Sequence, residues 1–494
     1  MKILNKLAST AIMVLMLSAC TDLSDEIYDT IPGEDYPENE AQGSRLAAPA
    51  FLKLKGYTTD WGGYWMSQEI TGDGIVAPTR GKDWDDGGKW RDLHTHNWGA
   101  DSEAVRGIWK EEYDGITECN QAIELLEPNQ ENAEIQTIIS QLKILRAFYY
   151  YLLIDSYGDV PYITSYFNVV EEFPSRVARA TVFNNLVTEI NDNIQYLPDA
   201  SLASAINKGS AYALLAKLYI NAEVYTGTAK WQEASDACDA LIALGNYQLA
   251  DDVKAPFIEE NQDSKENIFT IPYDKDNLGD FNLHMRTLHY QSNATFNMAV
   301  QPWNGFCLIE DHFNTYADND KRKAWFLYGE QFAADGTSLD FELNPFVPAL
   351  NMDGSVYSKE EYQNSGARVI KFEITSGAGQ DISNDFPIFR YADFLLIKAE
   401  AMVKLGQSGD QYINEVRSRA GLANLSNASL EDIYTERGKE MIWEGCRRQD
   451  MIRFGKFNQA WWEKGESPSY RNLFPVPQVQ IDANPNLLPQ NTGY

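Results

Sequence analysis

This sequence is short of basic charge, cysteine and histidine, and no apolar run after its N-terminal segment is long enough to span a bilayer. Lys and Arg total 41 against 72 Asp and Glu in 494 residues, a formal charge of −31. Nucleic-acid binders need a basic face, and docking on anionic lipid through side chains needs a basic patch. The balance therefore excludes both partner classes. The 5 cysteines are too few for a disulfide scaffold and form no Cys-x-x-Cys. Of them Cys119, Cys238, Cys307 and Cys446 read as buried free thiols. His94-Thr-His96 has no third ligand at a zinc spacing and reads as two hydrogen-bonding side chains. Walker, His-Glu-x-x-His and Gly-x-Ser-x-Gly motifs are absent. Asp318-Asn-Asp320-Lys-Arg322 lacks the glycine and distal Glu of an EF-hand loop. No cofactor is implied; a structural calcium in a loop is left open.

What is present starts with apolar residues at 44%, ordinary for a globular chain with a sizeable core. The aromatic content is high, with 12 Trp, 27 Tyr and 22 Phe. At the N-terminus Lys2 and Lys6 precede an apolar segment from Leu7 to Leu17, too short to span a bilayer and suited to a signal peptide. It ends Leu17-Ser-Ala-Cys20, which resembles the lipobox of bacterial lipoproteins. Residues 1–19 are then a cleaved lipoprotein signal and Cys20 the acylated N-terminus; several acyl chains would anchor it stably. Residues 20–45 read as a flexible acidic tether.

Helical three-four spacing is carried by Ile135, Ile138, Ile139, Leu142, Leu145, Phe148, Tyr149 and Leu152, and by Val105, Trp109, Ile116, Ile123 and Leu126 before Pro128. Further helices are expected over 210–222, from Trp231 to a cap at Gly245, over 391–405, and from a capping box at Ser429 to about Trp443. The expected fold is mostly α. It is a tetratricopeptide-like scaffold of about four helix pairs carrying a loop-rich, irregular ligand-facing subdomain. The regions are 46–250, helical with a Trp-rich loop; 251–385, a loop-rich insertion with short strand-like runs such as Val369–Ile374; and 386–494, helical.

Four motifs, in order, are Leu145-Arg-Ala-Phe-Tyr-Tyr-Tyr-Leu through Tyr157-Gly-Asp-Val-Pro161; Phe389-Arg-Tyr-Ala-Asp through Ala401; Glu436-Arg-Gly-Lys-Glu-Met-Ile-Trp-Glu-Gly-Cys-Arg-Arg-Gln-Asp450 with Arg453-Phe-Gly455; and Leu473-Phe-Pro-Val-Pro477 with the C-terminal Gln490-Asn-Thr-Gly-Tyr494. With the lipobox, the ordered set resembles the SusD/RagB family of outer-membrane nutrient-binding lipoproteins. The resemblance implies a lipid-anchored, surface-exposed outer-membrane protein that captures an oligosaccharide without catalysis. It also implies a partner, a SusC-like TonB-dependent transporter that receives the glycan. Within the motifs, Arg146, Arg390, Glu400, Arg437, Glu444 and Arg453 read as architectural, because a charge among apolar neighbours must be paired.

Sugars offer C–H patches to flat aromatics and hydroxyls to polar side chains. Two loop regions supply both. One holds Trp61, Tyr64, Trp65, Trp84, Trp90 and Trp98 among Asp73, Arg80, Asp83, Asp85 and His94; the other holds Tyr290, Phe296, Trp303, Phe306 and Trp325 with Gln301 and Asn304. Trp84 and Trp303 lead as platforms and Tyr290 follows, with Asp83, Arg80 and Asn304 as polar contacts. The acidic balance favours a neutral glycan unless a patch at Arg80, Lys82, Lys89 and Arg91 overrides it. The competing readings are a surface glycoside hydrolase, whose two carboxylates need not be sequence neighbours, and a helical-repeat scaffold that binds only protein or peptide.

Overall fold

In a computed structural model, residues 37, 39–59, 61–167 and 172–494 are described. The signal segment, Cys20 and most of the expected tether lie outside them.

Helix α1 (Glu40–Leu52) starts inside the span expected as tether, 20–45, and corrects its C-terminal limit. Asn39 caps it by accepting the Gln42 N–H, and the helix buries Gly43, Ala47 and Ala50. It packs on α2 (Glu103–Leu126) and α3 (Ala133–Tyr157), two long helices that lie side by side. Helix α4 (Arg179–Asn193) packs on α3, and α5 (Lys208–Ile220) pairs with α6 (Trp231–Ala243). Helix α7 (Tyr391–Lys404) packs on α6 and also against α8 (Asp410–Arg419) and α9 (Leu430–Glu440). The fold is mostly α, built from tetratricopeptide-like helix pairs, as the periodicity predicts.

Two expectations are corrected locally. Helix α9 opens at the Ser429–Asp432 capping box but ends at Glu440, short of Trp443. Trp443 is in a left-handed turn (φ 69°), and the buried Glu69 carboxylate accepts the N–H groups of Trp443 and Gly445 there. In the run 369–374 only Val369, with Arg368 before it, is a strand, antiparallel to Phe326–Leu327. Lys371 leaves the ladder because its ammonium is drawn to Glu444 and to the carbonyls of Glu440 and Ile442.

The strands among the described residues form five two-stranded sheets, and three of them position the site. Asn267–Ile271 pairs with Phe386–Arg390, drawing both ends of the loop-rich region together. Ile75–Val76 pairs with Cys307–Leu308, and Thr79–Arg80 runs parallel to Asn351–Met352. The pairing of Ile75–Val76 with Cys307–Leu308 brings the two aromatic loop regions, far apart in sequence, onto one another, and the parallel pairing ties Arg80 to a later part of the loop-rich region.

Beneath them lies a buried ionic network. Arg390 bonds Glu266, Glu440 and Glu444; Arg322 bonds Asp320, Glu436 and Glu440; Arg437 bonds Asp393 and Asp450; Arg453 bonds Glu400 and Asp450. Arg146 pairs with Glu189. Burial alone would raise the Glu440 carboxyl, but Arg419, Arg390 and Arg322 hold it far below the ordinary range.

Candidate functional site

Trp61 stands at the centre of the joined loops. Its ring centroid is 5.9 Å from that of Trp84 and 5.7 Å from that of Trp303. The three rings, with Lys82, Asp83, Asp86, Lys89 and Glu103, line an open cleft of about 560 Å3. Clefts of about 540 and 580 Å3 elsewhere, beside Arg146 and beside Arg419, have no aromatic lining.

Trp84 is held by its backbone, its ring nitrogen and its underside. Its φ is 61°, a left-handed conformation that a bulky residue rarely adopts and that recurs at ligand clamps. Its indole N–H donates to the Trp303 carbonyl at 2.7 Å. The ring packs over Phe306 at 5.2 Å and against the backbone of Gly305, where a Cβ would come within 2.2 Å of it. Trp90, buried alongside, donates its indole N–H to Asp86 at 2.7 Å. The Trp84 and Trp90 N–H groups are thus spent within the protein, and what the Trp84 ring presents is apolar face and edge.

Tyr290 donates its hydroxyl to Asp83, and burial together with that carboxylate pushes the phenol up. Asp83 is exposed on the rim. Four of the six expected contacts, Trp84, Trp303, Asp83 and Tyr290, therefore meet at one place.

Arg80 and Asn304 do not face the cleft, which corrects both as ligand contacts. Arg80 is 1% exposed and donates to the carbonyls of Gly305, Tyr362 and Ser365, to the Ser365 hydroxyl and to the Cys307 sulfur. Asn304 is fully buried, donates to the Gln363 carbonyl and accepts from Arg368. Both tie the loop 304–307 to the loop 362–368 and so support Trp303 and Trp84 from below. Polar residues beside a tryptophan look ligand-facing in sequence, and the carbonyls that enclose them come from distant loops.

The expected basic patch is likewise absorbed. Lys89 is 2.9 Å from Glu103, Arg91 is 2.6 Å from Asp85, and Arg80 is buried, leaving Lys82 on the cleft. His94 and His96 are buried and bond the carbonyls of Trp462 and Thr71; burial pushes His94 down to about 4. Among the described residues no group of three or more His, Cys, Asp or Glu side chains is placed to hold a metal ion.

The SusD family model matches residues 265–494, and a second model, "Starch-binding associating with outer membrane", matches residues 78–220. Residues 265–494 belong to the SusD family. SusD-like protein P2 of Formosa agariphila is 24% identical over 98% of both chains. Starch-binding protein SusD of Bacteroides thetaiotaomicron is 24% identical over 81% of both. Surface glycan-binding protein A of Bacteroides thetaiotaomicron, solved in complex with laminarihexaose, superposes with a TM-score of 0.75 at 22% identity, covering 91% of this chain and 99% of that one. These likenesses carry the SusD fold across the length of the described chain.

Proposed function

We propose that this SusD-family protein captures a neutral oligosaccharide, without catalysis, at the Trp61–Trp84–Trp303 cleft. The observation that carries the reading is three indole rings around one open cleft, with the Trp84 N–H spent internally and Asp83, Asp86, Glu103 and Lys82 at the rim. Such a surface matches a sugar: apolar ring faces meet aromatic rings, and hydroxyls meet carboxylates and an ammonium. The relatives named for starch binding and for laminarihexaose support the ligand class.

The rival hydrolase needs a general acid with a raised carboxyl facing a second carboxylate. Among the described residues the carboxyls pushed above their ordinary range are Glu69, Glu112, Asp385 and Glu415, and none lines the cleft. The lipobox at Cys20 supports a lipid-anchored protein on the outer-membrane surface. Likeness to the SusD family supports delivery to a SusC-like TonB-dependent transporter, with 251–385 as the ligand-facing insertion on the scaffold of 46–250 and 386–494.

The test is a panel of neutral oligosaccharides scored by intrinsic tryptophan fluorescence and by calorimetry. Trp84→Ala and Trp303→Ala should each weaken the best ligand by at least about tenfold, in line with the loss of a buried aromatic anchor. Unchanged affinity in both would remove the cleft as the site. New reducing ends after prolonged incubation would replace the receptor reading with the hydrolase.

A further inference from the structure

A second cleft, of about 360 Å3, adjoins the first and shares Trp61, Lys89 and Glu103 with it. Trp61, half-buried, supplies its aromatic surface; Trp90 and Trp98, 1% and 2% exposed, close it from behind, and Asp92 and Asp101 line it. Both buried indoles are spent as donors, Trp90 to Asp86 and Trp98 to the Tyr494 hydroxyl, each at 2.7 Å. The Lys89 ammonium lies 5.9 Å from the Trp61 ring centroid and 4.5 Å from that of Trp90, and bonds Glu103 at 2.9 Å. The two clefts are therefore neighbouring compartments with one ion pair between them. The Trp61 ring borders both compartments, with Asp83 and Asp86 on one side of the pair and Asp92 and Asp101 on the other.

We propose that the second cleft is a subsite for the same glycan, taking the sugars that follow those held at Trp84 and Trp303. The Lys89–Glu103 pair is the crossbar that both stretches of the chain touch. An ammonium with spare N–H donors and a carboxylate with spare acceptor capacity can serve hydroxyls on either side without leaving one another. A chain that spans both compartments gains the second set of contacts without a second loss of translational freedom. The preferred ligand is therefore an oligosaccharide long enough to cross the pair, not a mono- or trisaccharide.

This inference rests on the glycan reading of the first cleft, and one experiment separates the two. Calorimetry would compare laminaritriose with laminarihexaose, and maltotriose with maltohexaose, on the wild type and on Gly99→Leu. Gly99 lines the second cleft only; a Cβ there meets no heavy atom within 4 Å, and its φ is outside the left-handed region. Leucine can thus fill the space without a flat face of its own. In the preferred series the hexasaccharide should bind at least about tenfold tighter than the trisaccharide, beyond the roughly fourfold that sliding registers supply. Gly99→Leu should erase that excess and leave trisaccharide affinity and thermal stability unchanged. A wild-type gain of about fourfold or less overturns the subsite alone, as does a full gain that survives Gly99→Leu. If neither series binds at any length, the glycan reading falls with it.

Discussion

At the scale of single residues, the decisive feature is a glycine. Gly305 lets the Trp84 ring rest on backbone, and alanine there would place a methyl group within 2.2 Å of the indole. The ring is already fixed by its left-handed backbone and by its bond to the Trp303 carbonyl, so it has no relaxed alternative on that loop. Gly305→Ala should therefore cost about 1–3 kcal/mol of stability through overpacking, and should cut glycan affinity as deeply as Trp84→Ala. Chemical denaturation beside calorimetry checks both; normal binding with the alanine in place would show that the platform does not depend on this contact. The tryptophans were legible in sequence because flat rings among Gly and Asp stand out. The roles of Arg80 and Asn304 were not, since their burial depends on carbonyls from the 305–307 and 362–368 loops. Trp61 appeared only as one aromatic among many, and nothing local marks it as the shared wall of two clefts.

At the scale of elements, legibility follows how many apolar positions a segment commits to the core. Helices α2 and α3 bury long three-four series and were plain. Helix α8 buries only Ile413, Val416 and Arg419, too few positions to show a period, and α4 commits only the short series Val182, Phe183, Leu186 and Ile190. Two-residue strands such as Ile75–Val76 have no signature at all, yet they join the halves of the site. The helices are locked to the loop region by Glu440 at the end of α9, which receives Arg390, Arg419 and Arg322 together. Removing one partner of a buried ionic cluster strands the others in low dielectric. Glu440→Ala should therefore lose about 3–5 kcal/mol, far more than a surface pair would. Urea unfolding measures this directly, and a loss below about 1 kcal/mol, the range of an exposed pair, would mean that Glu266 and Glu444 suffice for Arg390 and Arg419.

At the scale of the whole molecule, the excess of acid over base has a buried counterpart that behaves differently from the surface. Glu69 is buried and its carboxyl is pushed up to about 7, because burial outweighs the N–H groups of Gly445 and Trp443 that it accepts. Asp385 is pushed up to about 6 for the same first reason. An unfolded chain releases these protons near pH 4. Between that value and the folded one each of the two carboxyls keeps a proton in the fold that it loses on unfolding, so its contribution to stability falls as pH rises. The depressed carboxyls Glu440 and Asp450 have the opposite slope, which acts only below the ordinary carboxylate range. The 5 histidines are all buried and pushed down, and between about pH 5 and pH 7 the unfolded chain takes up protons that the fold refuses, which raises stability with pH. The contribution of Glu69 is therefore read as a difference: Glu69→Gln should gain melting temperature relative to the wild type as pH is raised from about 5.5 to about 7.5, the interval in which Glu69 ionises in the fold. The histidines, Asp385, Glu112 and the repulsion among 72 acidic side chains are common to both proteins and cancel in that difference. Glycan affinity should stay level over the same interval, because neither Glu69 nor Asp385 lines either cleft. Differential scanning calorimetry on both proteins decides the matter, and equal slopes would remove Glu69 as a group that titrates in this interval.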